Sequence, residues 1–108
     1  MTWTVEFFSE RVRRDLTDLP NDMRASFERI THLIETYGLS EVREPYVKHL
    51  EGPAWEMRMK GRDGIARAAY IAVKDQRVVV VHVFRKKTQK TPLREIELAL
   101  RRAKEFEP

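Results

Sequence analysis

Residues 78–84, Val-Val-Val-Val-His-Val-Phe, constrain the fold more than any other part of the chain. Odd and even positions are both apolar, so a strand here has no face to offer water and must lie inside a sheet covered on both sides. A chain of 108 residues falls in the range of one domain, and residues 1–108 are expected to form a single unit. At this size a chain buries roughly two thirds of the surface its unfolded form exposes, which suffices for a core without staples. The sequence has no cysteine, which removes a disulfide framework, a Cys-based zinc site and a thiol nucleophile together. No run approaches the roughly 20 apolar residues of a membrane helix, and the start, Met1 to Glu6, lacks the pattern of a signal peptide. A soluble, cytoplasmic protein without membrane contact is the expectation.

The remaining elements follow from periodicity. Trp3, Val5 and Phe7 alternate with Thr4 and Glu6 as in a short strand. Ser9 offers a cap, and Val12, Leu16 and Leu19 trace one stripe of a short helix ended by Pro20. Met23, Phe27, Ile30, Ile34 and Tyr37 then recur at helical spacing, with Gly38 at the stop. The helix-turn-helix so formed carries an apolar stripe flanked by Glu28 and Glu35, which suits packing better than DNA reading. Residues 39–54, with Pro45, Gly52 and Pro53, read as a connection containing at most a turn of helix. Trp55, Met57 and Met59 alternate with Glu56, Arg58 and Lys60, a strand with a core stripe and a polar face. Gly61–Gly64 turns, residues 67–73 return, and Lys74-Asp75-Gln76 turns into the apolar run. Thr91 and Pro92 fit an N-cap and first position of a final helix, with Glu95 in its first turn and Ile96, Leu100 and Ala103 facing inward. Strand, two helices, a three-stranded antiparallel meander and a closing helix make an α+β fold.

Charge is uneven along this order. Residues 1–54 carry net −3, residues 55–90 carry net +7, and residues 91–108 are neutral. Concentrated cations suit a polyanion, since neutralising phosphates needs several positive charges in one place. The densest part is Arg85-Lys86-Lys87-Thr88-Gln89-Lys90, running from the buried strand to a helix N-terminus whose N–H groups complement an anion. A lysine-rich loop of this kind is equally read as a solvated connection. Arg58, Lys60 and Arg67 on neighbouring strands raise its interest, because three strands then direct cations toward one groove.

Other catalytic patterns are absent. The chain has no Gly-rich phosphate loop and no nucleophile elbow, and its three histidines, His32, His49 and His82, are scattered without the spacing of a metal site. No metal or other cofactor is expected. His82, on an apolar strand, reads first as a packed, hydrogen-bonded residue and second as a proton carrier beside Phe84.

The stretches Trp55 to Lys60, Arg67 to Tyr70, and Val80 to Pro92 with Glu95-Ile96 resemble the phage-derived, HigB-like branch of the RelE/ParE toxin superfamily. The resemblance spans most of the chain and is most specific in Lys-Lys-Thr-x-Lys-Thr-Pro after a His-x-Phe strand end. It implies a small RelE-like fold with an N-terminal strand, two helices, an antiparallel meander and a C-terminal helix. It further implies the toxin of a toxin–antitoxin pair, which cleaves mRNA on the ribosome without a metal and is neutralised by a cognate antitoxin, a helix-turn-helix protein. By position the cations at the scissile phosphate are Arg58, Arg67 and Lys86 or Lys87, with Arg67 and Lys87 foremost. Lys60, His82 or a loop lysine is the candidate proton carrier, because no tyrosine follows Tyr70 where a RelE-like toxin can place one. Lys60, Tyr70, Arg85, Thr88 and Lys90 are the expected RNA contacts. Two non-catalytic readings stay open on the same fold: a ParE-like topoisomerase inhibitor and an rRNA-binding module.

Overall fold

The structure, a computed structural model, describes residues 2–86 and 90–106, with residue 86 described by its backbone. β1 (Thr4–Phe7) is followed by α1 (Glu10–Thr17) and α2 (Asn21–Tyr37), a 3₁₀ turn (Leu39–Glu41), strands β2 (Val47–Glu51), β3 (Ala54–Gly61), β4 (Gly64–Val73) and β5 (Arg77–Lys86), and α3 (Leu93–Phe106). The sheet order is β1-β5-β4-β3-β2. β2 to β5 form an antiparallel meander, and β1 joins β5 in parallel.

Both helices of the first half start and stop where the sequence signals them. The Ser9 hydroxyl accepts the Val12 N–H, satisfying one of the helix's unpaired first-turn donors. α2 ends at Gly38, whose φ of 94° favours glycine and whose N–H returns to the Ile34 carbonyl. α1 and α2 lay Val12, Leu16, Met23, Phe27, Ile30 and Ile34 on one face of the sheet, against Met57, Met59, Ala66, Ala68, Tyr70, Val78 and Val80. α3 covers the other face, where Ala99 and Ala103 meet Ala69, Ile71, Val79 and Val81. β5 thus lies between β1 and β4 with a core on each side, the position its sequence requires. Asp75 and Gln76 both take positive φ in the turn before it, the hairpin geometry whose twist matches the strands.

Two expectations are corrected. The meander has four strands, since β2 arises inside the segment read as a connection; it is an edge strand of five residues, with a register shift between His49 and Glu51. Its alternation is therefore short and broken, and Pro45 and Gly52-Pro53 bracket it. The second correction concerns the apolar stripe of β3: Met57 and Met59 are fully buried, but Trp55 at the strand's start is 41% exposed, beyond the cover of α2. Gly61 at the far end of β3 is fixed by close approach, because a Cβ there would stand 2.7 Å from Met23 Cγ in the core. Asp22 at the start of α2 accepts the Arg62 N–H at 2.6 Å and holds that corner. No helix of the described residues is long and apolar enough to cross a membrane.

Candidate nucleic-acid interface

The pleat of β3 and β4 decides which side chains meet. Arg58 pairs with Arg67 and Glu56 with Ala69 across these strands, so Glu56, Arg58, Lys60 and Arg67 share the face that α3 partly covers. Phe84 and His82 of β5 lie opposite Arg67 and Ala69 and complete that face. α3 covers its lower part and leaves the Lys60 end open.

Glu56 is the residue that sequence reasoning missed. It is 1% exposed and, among the described residues, the one buried carboxylate. Its Oε1 accepts the Thr91 hydroxyl at 2.6 Å, its Oε2 accepts from the Arg67 guanidinium, and Arg58 Nε lies 4.0 Å from Oε2. A buried charge persists when it is paired and hydrogen-bonded, and here Arg67 is as enclosed as the carboxylate and Thr91 is buried as well. Strand alternation alone places Glu56 beside two cations on a polar face. The hint of its role is that a single acid stands among them.

Arg67, expected to face a phosphate, is instead 1% exposed and committed to Glu56. Burial lowers its pKa from the ordinary value, and the Glu56 charge opposes that shift. It supports the site from beneath. Arg58 is partly exposed and Lys60 is exposed, which leaves these two of β3 at the surface of the same face. Thr91 ties the start of the α3 segment to the middle of the sheet through Glu56. A groove of about 410 Å³ opens there, lined by Lys48, His49, Leu50, Glu56, Lys90, Thr91 and Ile96. Lys48 and Lys90 are exposed on its rim.

His82 is packed as its strand position suggests. It is 9% exposed, stacks on Phe84 with ring centroids 4.9 Å apart, and pairs through Nε2 with Glu95 Oε1 at 3.2 Å. Burial lowers its pKa, and the hydrogen bond and charge of Glu95 offset part of that effect. Glu95, read in the sequence as dipole complement, therefore also fixes a ring. Tyr70 lies on the opposite face among the α2 contacts and is 2% exposed, too enclosed to stack on a base; burial raises its pKa. Arg85 pairs with Ala66 and so also belongs to the α2 side of the sheet, exposed. Lys87 and Thr88 lie outside the described residues, as does the side chain of Lys86. The structure thus brings Arg58 and Arg67 together at Glu56, with Lys60 further along the same face and Lys90 at the adjoining groove, and keeps Tyr70 and Arg85 apart from them. Among the described residues no three His, Asp or Glu side chains are grouped as a metal site requires.

Two solved structures share this architecture. A chain of the archaeal RelE-RelB complex from Pyrococcus horikoshii OT3 superposes with a TM-score of 0.61 at 22% identity, over 79% of this chain and 96% of that one. A chain of the YoeB-YefM complex from Staphylococcus aureus gives 0.56 at 13% identity, over 78% of this chain and 97% of that one. No curated protein matches the sequence. The fold is accordingly the small α+β RelE-like fold, with an N-terminal strand, two helices, an antiparallel sheet and a C-terminal helix. Within it, a family model described as phage derived protein Gp49-like matches residues 14–104, and the chain belongs to that family.

Proposed function

We propose that this protein is the toxin of a toxin–antitoxin pair, of the HigB-like branch, and that it cleaves mRNA on the ribosome. The observation that carries the reading is that Arg58, Lys60 and Lys90 stand on one side of the sheet, with Arg67 beneath. RNA brings its own nucleophile, so a protein needs chiefly to align the 2′-oxygen with phosphorus and to stabilise the charge that builds on the phosphoryl oxygens. The 2′-oxygen bonds to phosphorus as the bond to the 5′-oxygen breaks, leaving a cyclic phosphate and a 5′-hydroxyl. Arg58 and the lysines at 86 and 87 stabilise the phosphate, while Lys60 and Lys90 hold the flanking chain. His82 or Lys60 takes the 2′ proton, and a solvent water gives the departing 5′-oxygen the proton it needs. A cognate antitoxin of helix-turn-helix type, with an acidic segment, neutralises the groove.

Primer-extension mapping in a reconstituted bacterial translation reaction tests the reading. Cuts inside translated codons that need ribosomes, and that slow about 10²–10³-fold in Arg58→Ala or Lys87→Ala, are expected. Intact mRNA despite growth arrest on expression would replace the nuclease with a topoisomerase inhibitor or rRNA-binding module.

A further inference from the structure

The basic groove has an unexpected neighbour. A cleft of about 720 Å³ lies on the α2 side of the sheet, and Trp3, Val42, Val47, Trp55 and Tyr70 supply its apolar wall. His49 and Trp55 form the boundary between the two hollows: His49 lines the groove, Trp55 lines the cleft, and their rings meet edge to face with centroids 5.0 Å apart. The pair is set by the sheet. Its residues are register partners on β2 and β3, and His49 Nε2–H donates to the Gly52 carbonyl at 2.9 Å, which fixes the imidazole against the hairpin. Trp55 remains 41% exposed, a large flat surface that the fold leaves uncovered.

We infer that Trp55, backed by His49, is a stacking platform for one unpaired base of an RNA strand whose phosphates lie in the groove beside Lys48 and Lys90. This deepens the RNA-cleaving reading and rests on it. The charge beside the cleft selects the occupant. An apolar cleft alone accepts any apolar group, but one that lies around the β2 edge from a cationic groove suits a ligand with an aromatic face and anions along its chain. A nucleotide has that form. Single strands are held in general by cations along the backbone and aromatic rings under the bases, and each base stack tolerates any sequence because every base has a π face.

The test compares two fluorescently labelled RNA hexamers, one of adenosines and one with abasic sugars throughout, by anisotropy at low salt. The native protein is expected to bind the adenosine strand about ten-fold more tightly than the abasic one. Trp55→Ala should erase that difference and leave the abasic affinity unchanged, while Trp55→Phe, which keeps a flat ring, should preserve most of it. Lys48→Ala with Lys90→Ala should weaken both strands alike. With Trp3→Phe as background, Trp55 is the sole indole, and the adenosine strand should quench its emission where the abasic strand does not. Discrimination that survives Trp55→Ala, or native binding that ignores the bases, overturns the platform and leaves the RNA reading standing. Native protein that binds neither strand overturns the platform as well, while the cleavage reading stands or falls by the primer-extension mapping.

Discussion

At the scale of single residues, Glu56 and Arg67 carry most of what the site can be. Two opposite charges sealed under α3 lose their hydration, and their mutual attraction and the Thr91 hydroxyl replace it. Removing one leaves the other enclosed without its nearest opposite charge, which costs about 3–5 kcal/mol. Glu56→Ala is therefore expected to lower unfolding stability by that amount in a urea titration, whereas Glu56→Leu with Arg67→Met should recover most of it, because apolar groups of similar size need no partner. A double variant that folds well yet cleaves no RNA separates the pair's part in holding the site from its part in holding the fold. The sequence made the cations legible as a group but not the depth of each. Alternation along β3 assigns a face, and only the path of α3 over that face decides that Glu56 is sealed while Lys60 is open.

Among the elements, α3 is the one whose packing sets a chemical property. It approaches the sheet closely because Ala99 and Ala103 are small, and Arg102 donates to the Val81 carbonyl at 2.8 Å. That approach encloses His82 and brings Glu95 to its ring. With its pKa held below the ordinary value of 6.5, His82 stays neutral in the folded chain at a pH where the unfolded chain already takes up a proton. Its contribution to stability is thus complete above about pH 6.5 and is lost as pH falls through the depressed value. His82→Gln, which cannot titrate, should flatten this part of the profile, so that the stability difference between native and variant shrinks from pH 7.5 to pH 5.5 in denaturant melts. A difference that grows on acidification would mean that Glu95 wins over burial. The closing helix was legible from Thr91-Pro92 and its apolar stripe, and so were α1 and α2. β2 was not, because an edge strand with one buried residue, a register shift and flanking prolines leaves little alternation to read.

For the whole molecule, the uneven charge of the chain survives folding only in part. Residues 55–90 hold ten cations, but Arg67 is neutralised by Glu56, and Arg77, at the far end of β5, is bound through two hydrogen bonds to Glu6 of β1. That bond holds the Glu6 carboxyl below its ordinary value, and Arg85 stands on the other side of the sheet. The cations that one RNA strand can reach at the same time are fewer than the sequence count. Each phosphate neutralised on a single strand releases counterions and adds about −0.7 to the slope of log affinity against log salt. Four contacts, from Lys48, Arg58, Lys60 and Lys90, correspond to a slope of about −3 from the described residues, made steeper by whatever the lysines at 86 and 87 add. Lys60→Ala should reduce the magnitude of the measured slope by about 0.7, while Arg77→Ala, which removes the same formal charge, should leave it unchanged. Equal losses in the two variants would show that the RNA responds to net charge rather than to a groove. The distinction matters because a general positive field needs only composition, whereas a groove needs the pleat of β3, the anchor at Thr91 and the cover of α3 to hold these particular cations within one strand's reach.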